Sequence, residues 1–419
     1  MNNEKFEQLL NKLYSSHYFN AKELQYGNKA NTFLSPFEYK EFVKYKEEQA
    51  INNNRLLTLI PLKTFNHKCL YFCFGEDLKA SVEIYLNLSN INPSISYKYN
   101  ASFIDSKIYS EIEGSLNVEN IPTTRRRLKE LLEEDAPINS RNDLIIKNMK
   151  AGIDFINELP EFNKENLFKL YSILSNGCLN EEDCLKDGDI YRYDSVEIAH
   201  YQGCPHNLIE ECMNSLFSYV NKLLINKKDN LILLPLLPYI AHYYILYIHP
   251  YFDYNGRTAR MVSYWINLLT NEEFPPIISE AINQTKKQYY IAIEESRDSH
   301  NDITYFLKYI FDIANDYLVT YLNLDVIKTN GKKDGYSITT TELNYIKKIL
   351  ISYDGPFSYL DFLKMANIEI SKQGAFKILN KFLDIGILKS VITKSKTKLF
   401  DVNSEYIPYR LRNFGYRSK

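Results

Sequence analysis

The chain has 419 residues with 50 Lys or Arg against 52 Asp or Glu, a formal net charge of -2, so no overall field draws it to nucleic acid or anionic lipid and any such attraction must be local. Hydrophobic residues at 45% and charged residues at 24% exclude a chain disordered throughout, and the length allows on the order of two to three domains. Six cysteines without paired Cys-x-x-Cys argue against a disulfide framework or a zinc site, and the opening Met1-Asn2-Asn3-Glu4-Lys5 lacks the layout of a secretory signal, so a cytoplasmic location is expected.

In chain order, residues 1–101 mix short helical patterns with strand-like runs at 55–60, 68–74 and 82–88, which predicts an α/β region of unassigned role. From 102 to 322 apolar residues recur at helical spacing, as in 165–174, 207–224 and 303–322, and this is the main domain. Residues 188–198 break that pattern and read as a short hairpin among helices. Residues 231–248 are apolar or aromatic but for Pro235, Pro238 and His242, close to the length of a membrane span. The prolines interrupt the run, leaving roughly ten residues where a bilayer needs about twenty. A helix wrapped in protein, with Pro238 in its first turn, is therefore expected, and no membrane partner.

Residues 323–338 include Asn330-Gly331-Lys332-Lys333-Asp334-Gly335 and predict a linker. Beyond it, 339–403 read as a helix over 341–352, two more opening at Ser358 and Ser371, and strands at 388–392 and 398–402, the order of a winged helix. A basic tail, 404–419, follows. The expected fold class is mainly α: a helical core with an embedded hairpin, an α/β region before it and a winged helix after it.

The chemistry concentrates in His249-Pro250-Tyr251-Phe252-Asp253-Tyr254-Asn255-Gly256-Arg257-Thr258-Ala259-Arg260, a polar loop between the apolar helix and a second one over 261–269. Pro250 stops the first helix and fixes His249 at its last turn, which suits an imidazole acting as a general base. Asn255-Gly256 lets the backbone turn where a helix begins, aiming N–H groups and the helix dipole at one spot that fits phosphate. Arg257 and Arg260 share a face of that first turn and can clamp a polyphosphate. Asp253 offers one carboxylate, and Mg²⁺ at nucleotide sites takes only one or two from protein. Phosphoryl or nucleotidyl transfer is the chemistry these parts support.

The stretch His249-Pro250-Tyr251-x-Asp253-Tyr254-Asn255-Gly256-Arg257-x-x-Arg260 resembles the signature of the Fic family, His-Pro-Phe-x-Asp/Glu-Gly-Asn-Gly-Arg-x-x-Arg. The resemblance implies a protein adenylyltransferase that moves AMP from ATP to a Tyr, Thr or Ser hydroxyl of a target protein and releases pyrophosphate. It gives His249 the deprotonation of that hydroxyl and Asp253 the Mg²⁺ or Mn²⁺ ion. Asn255 and Gly256 would line the hole for the α-phosphate, and Arg257 and Arg260 would bind the outer phosphates. Residues 188–198 are similar to the family's flap, which aligns the target segment by main-chain pairing. Lys287-Gln288-Tyr289-Tyr290 with Asp302-Ile303-Thr304 resembles the region bordering the nucleoside.

Upstream, Tyr109-Ser110-Glu111-Ile112-Glu113-Gly114 resembles the inhibitory helix, Ser/Thr-x-x-x-Glu-Gly/Asn, of the family's N-terminally inhibited class. By that resemblance Glu113 pairs with Arg260 and competes with the γ-phosphate for its donors. Removal of AMP by a water held on the same glutamate is a further expectation. The sequence departs from the patterns at Tyr109 for Ser or Thr, at Tyr251 for Phe and at Tyr254 for Gly. At the last position a Cβ penalises positive φ and crowds a phosphate cradle.

A reading from a different class is a nucleotide-sensing, DNA-binding regulator. Between 371 and 419, eleven Lys or Arg stand against Asp384, Asp401 and Glu405, a local excess of +8 that counterion release turns toward DNA. The third helix of the winged helix offers Lys372, Gln373, Lys377 and Asn380 but no arginine to read guanine. Family diversity and Tyr254 leave open another nucleotide or phosphocholine as donor. Self-modification and a homodimer complete the partner expectations. His200, His206 and His242 read as hydrogen-bonded or core histidines, and Arg125-Arg126-Arg127 as a solvated helix face.

Overall fold

The computed structural model describes the chain apart from residues 1, 28–32, 67, 92–100, 135, 199–200, 271–277, 353–354, 367–370, 393–397 and 408–419. In chain order the elements are α1 (Asn2–Ser15), α2 (Ala21–Tyr26), α3 (Pro36–Ile51), β1 (Thr58–Ile60), β2 (Leu70–Phe72), α4 (Glu76–Ile91), α5 (Ala101–Val118) and α6 (Arg125–Leu132). There follow α7 (Arg141–Asn157), α8 (Lys164–Ser175), β3 (Glu197–Ile198), β4 (Tyr201–Gln202), α9 (His206–Ile225), α10 (Leu237–Ile248), α11 (Asn255–Thr270) and α12 (Ile278–Gln284). The last are α13 (Lys286–Asp298), α14 (Thr304–Lys333), α15 (Thr340–Ser352), α16 (Tyr359–Ala366), α17 (Lys372–Asp384), β5 (Leu388–Ile392) and β6 (Lys398–Val402). The fold is mainly α, as expected, and the described strands form the antiparallel pairs β1–β2, β3–β4 and β5–β6.

The chain divides into two compact units, one of residues 1–83 and 93–314, the other of 84–92 and 315–419. In the first, α10 is buried along nearly its whole length and packs against α11. Pro238 stands in its first turn, where a missing N–H is no loss. His242, inside α10, bonds the hydroxyls of Tyr289 and Ser263, each at 2.8 Å, and burial lowers its imidazole to about 3. It is a neutral core histidine. No helix among the described residues is long and apolar enough to cross a membrane.

Residues 1–83 join the same unit as the helical core instead of standing apart. Reciprocal capping boxes, Asn20 with Glu23 and Ser35 with Glu38, start α2 and α3. Two of the strand-like runs supply β1 and β2, but 82–88 lies inside helix α4: Leu78, Val82, Tyr85 and Leu88 are buried at helical spacing, a period the short apolar run concealed. Lys46 of α3 is wholly buried and donates to Asp302 at 2.5 Å and to the Tyr18 hydroxyl at 3.3 Å. The Tyr18 and Thr304 hydroxyls also donate to Asp302, both at 2.5 Å. Asp302-Ile303-Thr304 thereby ties residues 1–83 to the core.

The second unit has its own core, including Ile327, Ile346, Ile349, Phe357, Phe362, Leu379, Phe382 and Phe400. Its helices α15, α16 and α17 and the pair β5–β6 occur where the sequence places them. Of residues 323–338, expected as a linker, 323–333 are helical: α14 continues to Lys333, because Leu322 and Ile327 bury an apolar face and Gly331 falls in the last turn, where a glycine costs little helix. Among the basic residues counted toward DNA, Lys381 bonds Glu342 at 2.7 Å, Lys389 lies 3.5 Å from Asp401 and Lys398 bonds Asn380 at 3.1 Å. Lys394, Lys396, Arg410, Arg412, Arg417 and Lys419 fall outside the described residues, as does most of the basic tail.

Replacing Lys46 by Met leaves Asp302 a buried carboxylate without its counter-charge. The expected loss of stability is about 3 kcal/mol in chemical denaturation, with most of it restored in the Lys46→Met, Asp302→Asn double variant.

Candidate active site

Helix α10 ends at Ile248, and His249 caps it in the left-handed conformation, φ 56° and ψ 63°, its N–H donating to Ile245 O at 2.8 Å. The imidazole thus sits one residue beyond the helix, not in its last turn. A non-glycine residue at positive φ is held there by its surroundings. The holder is Arg192, only 2% exposed, whose Nε donates to His249 O at 2.7 Å and whose Nη1 donates to Asp194 O at 2.5 Å. Its Nη2 donates to Cys204 O and, at 3.5 Å, to Ile248 O, and its backbone N–H reaches Pro250 O at 2.9 Å. Sequence reading missed Arg192, because a lone arginine among turn residues carries no signal. Burial first, and the Arg192 charge second, lower the His249 imidazole to about 4, so at neutral pH it is unprotonated and can accept a proton.

The hairpin lies later than expected. Glu197 pairs with Gln202 and Ile198 with Tyr201, while 188–196 form turns and bends. Its base is tied to the histidine turn by Cys204 N donating to Ile248 O at 3.2 Å. His200 falls outside the described residues.

In the loop after His249, Tyr251 is fully buried and stacks on Tyr171, ring centroids 3.7 Å apart at 7°. Its hydroxyl finds no partner among the described residues. Asn255 Oδ1 accepts from Tyr251 N at 3.0 Å and Nδ2 donates to Tyr251 O at 2.8 Å, so this amide clamps the loop and leaves only its backbone N–H for a ligand. Helix α11 begins at Asn255, where the sequence places the helix start, and runs on through the apolar stretch 261–269. Its first-turn N–H groups have no intrahelical acceptors and the helix dipole adds positive potential there.

A carboxylate already occupies that place. A Cβ on Gly256 would lie 2.6 Å from Glu119 Oε1, so the missing side chain is what lets the carboxylate approach the helix terminus. Glu119 accepts from Arg260 Nη2 at 2.7 Å, and Arg260, 2% exposed, also donates to Ser115 Oγ at 3.0 Å and Ser115 O at 3.2 Å. Burial pushes the Glu119 carboxyl up, but Arg260 beside it outweighs burial and the net shift is down, which keeps it ionised. The expected pairing of Glu113 with Arg260 is therefore corrected: Glu113 lies 3.6 Å from Arg125, and the carboxylate on Arg260 is Glu119. The signal was in the sequence, since Ser115-Leu116-Asn117-Val118-Glu119-Asn120 fits Ser/Thr-x-x-x-Glu-Gly/Asn without departure.

Gly114 has a different task. A Cβ on it would stand 2.5 Å from Glu280 N, so it permits the close approach of α5 to α12. Glu111 fastens the same contact, accepting from Ser279 N at 3.1 Å and from the Ser279 hydroxyl.

Arg257, 6% exposed, has no acceptor for Nε or Nη1 among the described residues, and its Nη2 is 4.0 Å from Asp253 Oδ2. Its guanidinium carbon lies 3.4 Å from the ring centroid of Tyr254. Tyr254 stands at φ 67°, a strain of about 1–2 kcal/mol for a residue with a Cβ, and its ring is buried beside Cys178. It supports the arginine without covering Gly256. The Asp253 side chain is 44% exposed and accepts from Tyr254 N at 2.6 Å, and among the described residues no group of three or more His, Cys, Asp or Glu could hold a metal ion. Of the two tyrosines after the motif, Tyr289 is 1% exposed and bonded to His242, whereas Tyr290 is 43% exposed near Glu119 and Arg260.

Residues 161–266 match the family described as Fic/DOC. A protein adenylyltransferase Fic from Aedes aegypti is 25% identical over 251 residues, 59% of this chain and 47% of that protein. Another of that name from Nematostella vectensis is 33% identical over 152 residues, 35% of this chain and 33% of its own length. The chain thus spans less than half the length of these curated relatives. A crystal structure of a Fic family protein from Desulfovibrio desulfuricans G20 aligns with a TM-score of 0.49 at 16% identity, covering 79% of this chain and 97% of that one. The turn at His249, with the helices on either side of it, lies inside the stretch that matches the Fic/DOC family.

Two measurements probe this geometry. Burial raises Glu111 to about 7 against 4.5 in a solvated chain, so its contribution to stability is full below about pH 4.5 and is lost as pH rises through 7. The melting temperature of the wild type relative to Glu111→Gln is expected to fall across that window and level off above it. Tyr251→Phe removes a buried hydroxyl without a partner and should raise the melting temperature slightly, by about 1 kcal/mol of stability.

Proposed function

We propose that the protein transfers AMP from ATP to a hydroxyl side chain of a target protein. The observation that carries this reading is the Glu119 carboxylate lying over Gly256 on Arg260, an anion held at a helix N-terminus beside the unmatched donors of Arg257 and close after an unprotonated His249. The names of the curated relatives support ATP as the donor. The chemistry asks for a base to remove the hydroxyl proton, donors for charge on the transferring phosphate, and a path for pyrophosphate to leave.

His249 takes the proton from the attacking Tyr, Thr or Ser oxygen. That oxygen forms a bond to the α-phosphorus while the bond from phosphorus to the bridging oxygen breaks, and pyrophosphate departs. The first-turn N–H groups of α11, freed by Gly256, stabilise charge on the α-phosphate. Arg257 and Arg260 hold the outer phosphates in bidentate fashion. A single partly exposed carboxylate fits an ion whose other ligands are phosphate oxygens and water, so Asp253 would hold Mg²⁺ or Mn²⁺, which when bound offsets phosphate charge. The β3–β4 hairpin offers its edge to the target segment.

Glu119 is the inhibitory group in this reading, since its carboxylate takes the Arg260 donors that a γ-phosphate needs. With labelled ATP and Mg²⁺, Glu119→Gly is expected to transfer label at least tenfold faster than wild type, and adding His249→Ala should abolish transfer. Equal labelling in wild type and Glu119→Gly would refute the inhibition. No transfer by either, to itself or to proteins of a lysate, would refute the activity. Release of AMP from a modified target by wild type but not by Glu119→Gly would assign the carboxylate a hydrolytic role as well.

A further inference from the structure

Tyr254 is the residue at which this chain departs most from its family's signature, which has glycine there. Its backbone lies at φ 67°, where glycine is at ease and tyrosine is not. Strain of this kind persists where the surroundings over-determine it and where the side chain has a task. The surroundings are those of a core residue, because Tyr254 is only 2% exposed. The task is visible in its neighbour, for the Arg257 guanidinium lies face-on over the ring at 3.4 Å.

A guanidinium stays charged when buried, and donors left without acceptors there are costly. Arg257 keeps Nε and Nη1 unmatched at 6% exposure and makes only a distant approach, 4.0 Å, to Asp253. Beside the carboxylates of Asp253 and Glu119, what restrains this long, flexible side chain is the aromatic face beneath it. A residue without a π face would leave the arginine free to turn away from the site or toward Asp253.

We propose that Tyr254 is a specificity-determining residue: its ring fixes the attitude of Arg257 so that the site selects nucleotides with phosphates beyond the first. This inference rests on the nucleotide reading of the site. It reverses what the family pattern alone suggests, since restoring glycine relieves the backbone but releases the arginine.

The test measures binding of ATP, ADP and AMP by calorimetry with Mg²⁺, using the full chain in the Glu119→Gly background. In that parent, ATP is expected to bind more tightly than AMP. Tyr254→Phe keeps the stacking and should preserve the ratio of ATP to AMP affinity. Tyr254→Leu and Tyr254→Gly should lower that ratio roughly three- to thirty-fold, the range of a desolvated cation–π contact, with AMP affinity changed less than about twofold. A Tyr254→Leu protein with the parental ratio overturns the inference, and so does an equal loss for all three nucleotides, which is the mark of a merely structural role. If Tyr254→Leu does not fold by thermal melting, Tyr254→Met supplies the same bulk without a ring. A parent that binds no nucleotide overturns the reading of the site and this inference with it, whereas a parent that binds ATP with an unchanged Tyr254→Leu ratio removes only the latter.

Discussion

A guanidinium cannot shed its charge, so burying one obliges the fold to bring it acceptors. Around the turn from His249 to Arg260 the chain buries Arg192, Arg257 and Arg260, at 2%, 6% and 2% exposure, and meets the obligation in three ways. Arg192 collects main-chain carbonyls, and in doing so fixes the left-handed cap at His249. Arg260 draws a carboxylate and a serine from the far end of α5. Arg257 lies over the Tyr254 ring, and its Nε and Nη1 groups meet no acceptor among the described residues.

The attachment of α5 follows from the second of these. Glu111 holds the start of α12, Gly114 lets the two backbones close, and Ser115 and Glu119 grip Arg260. The helix then stops: Asn120 stands at φ 58° and Ile121 N returns to Leu116 O at 2.9 Å. Lys286 of α13 donates to Asn120 at 2.7 Å. So firm a seat means that Glu119 can vacate the helix terminus by turning its own side chain, with α5 left in place.

Much of the architecture was legible because a helix with one buried face repeats its apolar residues every three to four positions, as α8, α9 and α14 do. Short elements were less so. Residues 82–88 alternate well enough for a strand until the whole of α4 is seen, and the glycine at 331 suggested a break that the buried faces of α14 override. The loop chemistry was legible as residue types at fixed spacing, but not which partners those residues would choose. Glu113 and Glu119 both end a plausible inhibitory pattern. Six residues are about one and two-thirds helical turns, so only one of them can face Arg260, and the choice belongs to the packing of α5 on α12. Arg192 was illegible because its role is written in carbonyl groups, which every residue possesses.

The manner in which Arg192 is satisfied reaches beyond local stability. One side chain grips the carbonyls of Asp194 and Cys204, on either side of the β3–β4 hairpin, and those of Ile248 and His249. The base of the hairpin and the main chain at His249 are thus joined through one guanidinium. In the proposed transfer, a chain laid along that edge would meet the histidine turn with the relative placing of those two parts already fixed by the fold.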